Sequence, residues 1–218
     1  MPSQFPRSPR LRKGGLAAYR PPALVPTIIV FQYNPDEVSR NLTARGSQGS
    51  GARGESQRAS GPPDETLTFT VEIDATDQLE FPTDNAATAR MGLHPVIAAL
   101  EMLLYPAFPL VVMNEALALA GMAFVAAEQA PLTLLIWGER RVLPVRVESL
   151  TIKEQAFDTA LNPIRIAADL SLRVQTYRDL EITNPAYWVY MAGYAQKEVL
   201  ATANTFGNAS AIADLLPL

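Results

Sequence analysis

A mainly β, α+β fold is what this sequence predicts, and three observations predict it. The stretch "TLTFTVEID" (66–74) alternates apolar and polar residues. "IRIAADLSLRVQ" (164–175) alternates over twelve positions. Two further segments, 92–106 and 184–204, repeat their apolar residues at helical spacing instead. A period of two marks a strand with one buried face, and a period near 3.6 marks a helix.

Taken in order, residues 1–24 are rich in Pro, Arg and Gly without periodicity and read as an extended basic arm. Residues 26–33 read as a first strand, closed by an Asn34-Pro35-Asp36 turn in which Pro fixes φ and Asn or Asp bonds the backbone locally. A short strand follows at 38–43. Residues 44–65 are low-complexity Gly, Ser, Arg and Gln, and read as a flexible loop that orders on a partner.

The strand at 66–74 puts Leu67, Phe69, Val71 and Ile73 on one face, and Glu72 and Asp74 on the other. Residues 75–90 read as turns. A helical segment spans 92–127 in two parts. The first holds Leu93, Ile97, Leu100 and Leu104, with Pro95 in its first turn and Pro106 as its stop. The second, Ala-rich part is predicted to be buried or interfacial rather than membrane-spanning, because Asn114, Glu115 and Glu128 interrupt it or stand at its edge.

Strands resume at 132–138 and 141–155. Val145 and Val147 share a parity that Leu150 and Ile152 do not, which predicts a β-bulge near Glu148–Ser149. Pro144 predicts an edge position or a site near the strand start. Trp137 reads as a packing anchor before a Gly-Glu-Arg turn. The final segment, 181–218, holds a helix that Asn184 caps and Pro185 begins, with Tyr187, Tyr190 and Tyr194 on one face as a docking stripe.

Composition narrows the chemistry. The chain of 218 residues has no cysteine and one histidine, His94, which excludes a structural zinc site of the usual kind and a thiol nucleophile. No P-loop is present and no GxGxxG stands between a strand and a helix; Gly46, Gly49, Gly51 and Gly54 sit in the low-complexity loop and only weakly imitate one. The net charge of -4 is unevenly spread: residues 1–61 hold nine Lys and Arg against three acids, and residues 62–218 hold nine against nineteen. A basic arm on an acidic body fits a partner of complementary charge, including another copy. Two other readings use the same features. The arm is a candidate nucleic-acid contact, although it lacks interleaved aromatic residues. The carboxylates Glu72, Asp74, Asp77, Glu80 and Asp84 are a candidate divalent-metal or hydrolytic site, although EF-hand spacing is absent. The start resembles a signal n-region, but Arg20, Pro21 and Pro22 interrupt any apolar core, so no secretory signal is expected.

Three segments, "FQYNPDEVSRNL" (31–42), "LTFTVEIDATDQLE" (67–80) and residues 131–180, resemble the tube-type baseplate protein of contractile injection systems, the phage-tail-like particles of bacteria. The residues that carry the resemblance are Phe31-Gln32-Tyr33-Asn34-Pro35, Trp137-Gly138, Leu143-Pro144-Val145-Arg146, Glu154-Gln155-Ala156-Phe157 and Leu161-Asn162-Pro163-Ile164-Arg165. The resemblance covers roughly residues 26–180 and implies a tail-tube-like domain over 25–180, a β-sandwich or half-barrel with an outer helix. It implies a non-catalytic ring of six copies, joining a central spike to the inner tube and initiating that tube among other baseplate proteins. It implies no cofactor, nucleic acid or membrane insertion, and assembly in the bacterial cytoplasm. Many relatives carry a LysM module after the tube domain; residues 181–218 are too short for one. In this reading Asn34, Pro35, Trp137, Asn162 and Pro163 are turns and anchors. Arg40, Arg45, Arg53 and Arg58 would meet acids of a neighbouring copy, such as Glu72 and Asp74, and the tyrosine stripe would dock.

Overall fold

The computed structural model describes residues 12–20, 25–45, 60–122 and 129–207. Its centre is one seven-stranded antiparallel sheet, which is not closed. The strands are β1 (Gly15–Tyr19), β2 (Thr27–Val30), β3 (Ser39–Thr43), β4 (Asp64–Asp74), β5 (Leu132–Ile136), β6 (Val142–Phe157) and β7 (Pro163–Val174). Their order is β2-β1-β5-β6-β7-β4-β3, so the strands on either side of the Asn34-Pro35 turn lie at opposite ends of the sheet. The helices are α1 (Thr76–Leu79), α2 (Ala86–Met91), α3 (His94–Glu101), α4 (Phe108–Leu119) and α5 (Pro185–Gly207). The result is α+β and mainly β, as the alternation predicts.

The long strands follow the expected pattern. Leu67, Phe69, Val71 and Ile73 of β4 are buried, as are Ile166, Ala168, Leu170, Leu172 and Val174 of β7. Each of these side chains except that of Ala168 contributes about 1.5–3 kcal/mol through its burial. The register between β6 and β7 shifts between Val147 and Ser149, leaving Glu148 as the extra residue. This slip returns Leu150 and Ile152 to the core face, where both pack against the buried cluster. Pro144 is the third residue of β6 and pairs with Leu134 of β5, near the strand start rather than at a sheet edge.

Four readings change. Residues 15–19, inside the predicted arm, are β1, an interior strand whose Leu16 and Ala18 are buried. Five residues flanked by Lys13 and Arg20 carry too little alternation to stand out. Gly14 and Gly15 permit the packing: a Cβ would sit 2.9 Å from the Trp137 ring at Gly14 and 2.7 Å from the Ile29 carbonyl oxygen at Gly15. Residues 1–11 and 21–24 of the arm lie outside the described residues. The loop assigned to 44–65 is shorter, because Asp64 and Glu65 belong to β4; its residues 46–59 lie outside the described residues. Residues 75–90 hold two short helices, α1 and α2. Finally, α4 is largely exposed, with Asn114 its one buried side chain. Phe108 and Leu119 stand 71% and 89% exposed, so most of the apolar surface of this helix is left uncovered by the described residues.

α3 closes part of the core through Leu93, Ile97 and Leu100. α5 begins as expected: the Asn184 side-chain oxygen accepts the Ala186 N–H at 3.0 Å, and Pro185 follows it. The helix then packs along β6.

Candidate assembly surfaces

Charge is concentrated where β3 and β4 leave the sheet. Antiparallel pairing sets Leu42 opposite Glu65 and Thr43 opposite Asp64. Alternation sends Asp64 to the polar face and Glu65 to the core face, in the same parity as Leu67. Each acid gathers its own cations. The Arg45 guanidinium donates to both Asp64 oxygens, at 2.5 and 3.0 Å, and Arg173 of β7 adds a bond at 3.0 Å. The Arg45 hydrogen bond, ahead of the opposing desolvation, lowers Asp64 to about 2. On the core face Glu65 accepts from Arg40 Nε at 2.5 Å and from Lys197 Nζ of α5 at 3.3 Å. Burial pushes the Glu65 carboxyl up, but the Arg40 bond and the Lys197 charge outweigh it and hold it below its ordinary value. The backbone oxygen of Arg45 also accepts from Ser60 N and Oγ, at 3.4 and 3.0 Å.

Arg40 and Arg45, expected to reach a neighbour, are thus engaged by acids of their own chain. The register explains it: a long guanidinium on one edge strand reaches the diagonal residue of the next. Arg53 and Arg58 lie outside the described residues.

The acidic run does not converge. Glu72 is exposed on the polar face. Asp74 is turned inward to the chain: it accepts from Thr76 N at 2.8 Å and from the Thr76 hydroxyl, and pairs with Arg165 Nη2 at 2.6 Å. Those bonds, the Thr76 hydroxyl first, lower its pKa. Asp77 is in α1, whereas Glu80 and Asp84 follow in turns. No group of three metal-ligating side chains exists among the described residues. Glu72 instead borders a shallow groove of about 740 Å³, walled by the Tyr33–Glu37 loop and floored by Thr68, Thr70, Ser149 and Ser171. Asp169 in that groove is bonded by Thr70 at 2.7 Å and Lys153 at 2.9 Å.

Four of the five turn and anchor residues, Asn34, Trp137, Asn162 and Pro163, make specific contacts. Asn34 does more than turn the chain. Its Oδ1 accepts the Gly14 N–H and its Nδ2 donates to the Arg12 carbonyl, both at 2.9 Å. The Phe31 N–H donates to the Gly14 carbonyl, also at 2.9 Å. The side chain therefore continues the β1–β2 ladder beyond the last strand residue. Pro35, half-buried, follows it in the groove wall. Trp137 lies 6.2 Å from the Phe31 ring and 6.0 Å from the Phe69 ring, an aromatic triangle closed by a 5.7 Å edge contact between the two phenylalanines.

Asn162 donates to Asp158 through its backbone and side chain, each at 2.8 Å, and so closes the β6–β7 hairpin. Leu161 stands there at φ 64°, 77% exposed. The Pro163 carbonyl accepts the Leu93 N–H at 2.9 Å, which seats the hairpin tip on the α2–α3 junction. A Cβ at Gly92 would lie 2.6 Å from that carbonyl oxygen.

The three tyrosines share one side of α5 but not one environment. Tyr190 is buried and packs at 6.2 Å on Tyr177; Tyr187 packs edge-on against Trp188 at 5.3 Å; Tyr194 is exposed.

Sequence reasoning missed the surfaces most open to a partner. β2 and β3 are the two ends of the sheet, and among the described residues no strand pairs with their outer sides. Ile28 and Val30 of β2 are 65% and 58% exposed. All five residues of β3 are exposed. The unbroken apolar run Ile28-Ile29-Val30 was a readable signal, since a strand wet on one face alternates. Glu65 was equally readable from its parity with Leu67.

No protein-family model matches the chain, and no curated protein matches it either. Among the described residues no helix is long and apolar enough to cross a membrane.

Proposed function

We propose that the chain is a non-catalytic ring subunit of a contractile injection system baseplate, six copies joining a central spike to the inner tube. The observation that carries this reading is the pair of dissimilar open edges. An edge strand presents unpaired N–H and C=O groups, which proteins either guard or use for pairing. Here β2 offers apolar side chains and β3 offers a fully exposed strand. Because the two edges differ, contact between copies is β2 to β3, a head-to-tail interface that makes a ring when its rotation closes. The polar groove, with its bonded Asp169 and dispersed acids, supports a surface rather than a reaction centre. The resemblance of residues 26–180 supplies the particle class.

Imaging of the chain co-expressed with its genomic neighbours tests the proposal. Rings, or incorporation at one end of a sheathed particle, are expected.

A further inference from the structure

Phe108, Val112, Glu115 and Leu119 of α4 fall within about 60° of one another around the helix axis, and all four are exposed. Asn114, the buried side chain of α4, faces away from them. A contiguous apolar face left bare in this way marks a contact with another molecule. Glu115 is the one charge on α4, and among the described residues it has no ion-pair partner.

The complementary surface is a second groove, of about 680 Å³, between α5 and the β5–β6 turn. Val142, Leu143, Val189 and Leu200 supply apolar walls, and Arg140 and Arg141 stand at its rim. The other charges lining it are already matched: Arg40 and Lys197 by Glu65, and Glu139 by Arg12. Among the described residues, Arg140 and Arg141 have no ion-pair partner. An apolar trough with two uncompensated cations fits an apolar helix that carries acid and no base. No residue of the chain's own α4 lines the groove.

From this complementarity we infer that the groove receives α4 of a second copy. Length agrees with charge: Phe108 to Leu119 and Val189 to Leu200 are each eleven residues apart, about 16 Å of helix. Antiparallel to α5, with Phe108 at Leu200, α4 sets Val112 at Gln196, Glu115 at Gly193 and Leu119 at Val189. All four of those α5 residues line the groove. Gly193 is also the level of the cations: a Cβ there would lie 3.9 Å from the carbonyl oxygen of Val142, the residue after Arg141. Two other occupants fit worse. Pairing of α4 with its own counterpart, Phe108 against Leu119, brings the two Glu115 side chains within one turn of each other. A lipid surface favours a helix with Lys or Arg on its polar face, and α4 has neither. The inference goes beyond the ring reading and does not rest on it, since helix and groove can meet without β2–β3 pairing.

The chain has no cysteine, so single introduced cysteines report cleanly. Gln196 lines the groove, whereas Glu198, two residues on, points away from it. Mixed under mild oxidation, the Val112→Cys and Gln196→Cys chains are expected to form a mixed disulfide about tenfold faster than the Val112→Cys and Glu198→Cys chains. Intact mass distinguishes that product from either homodimer. Adding Glu115→Arg to the Val112→Cys chain is expected to slow it about fivefold, as is fitting for a solvent-accessible contact. Adding Arg140→Glu/Arg141→Glu to the other chain is then expected to restore the rate, which damage to either fold would not do. Equal rates for Gln196→Cys and Glu198→Cys would overturn the inference. So would homodimers of the Val112→Cys chain in place of the mixed product, which would assign α4 to its own counterpart.

Discussion

Arg45 grips Asp64 through two nitrogens, at 2.5 and 3.0 Å, across the neck of a loop that joins the two strands at one end of the sheet. Arg173 shares the same carboxylate from β7, so three strands or strand ends meet at one charge.

That geometry sets an acid limit on stability. Asp64 sits at about 2 when folded, below its unfolded value near 4. A carboxylate lowered in the folded state stabilises it fully above the unfolded value, and the contribution fades as pH falls from about 4 through about 2. The thermal midpoint of Asp64→Asn is therefore expected to lie below the unchanged protein at pH 6 and to converge on it toward pH 2. Parallel curves would remove Asp64 from the acid response.

On the core face the cost is of another kind. Arg40→Met leaves Glu65 buried with only the more distant Lys197, and is expected to cost about 2–3 kcal/mol in urea unfolding. This is less than for a fully buried pair because Arg40 is a third exposed. Lys197→Met should cost below about 1 kcal/mol. Adding Glu65→Leu to Arg40→Met should recover most of the loss, since no unpaired buried charge then remains.

Asn34 holds β1 at its open end with one accepted and one donated bond. Asn34→Ala is expected to cost about 1–3 kcal/mol and to speed amide exchange at Gly14 and Phe31. Asn34→Asp keeps the acceptor for Gly14 and loses the donor to Arg12, so exchange at Gly14 should stay slower than in the alanine variant. Equal exchange in both would show that the Gly14 bond does not secure the strand.

How much was legible follows from the range of the interactions. β4, β7, the β6 bulge and the α5 cap were readable because alternation, parity and capping act within a few residues. β1 was not, because burial of Leu16 and Ala18 is decided by strands at Thr27–Val30 and Leu132–Ile136, distant in the chain. The ion partners were hidden for the same reason: Glu65 and Lys197 are 132 residues apart. The exposure of α4 was invisible too, since an apolar helix reads the same whether its cover comes from its own chain or from another.

The central claim is that β2 and β3 join copies head to tail. The most direct measurement is electron microscopy of co-expressed particles made with the unchanged chain and with Ile28→Lys/Val30→Lys, two residues exposed in the monomer. Rings or particle ends containing the unchanged chain, and their loss with the variant while its thermal midpoint stays put, are the predicted result. An unchanged chain that stays monomeric and joins no particle, or a variant that assembles equally well, would contradict it.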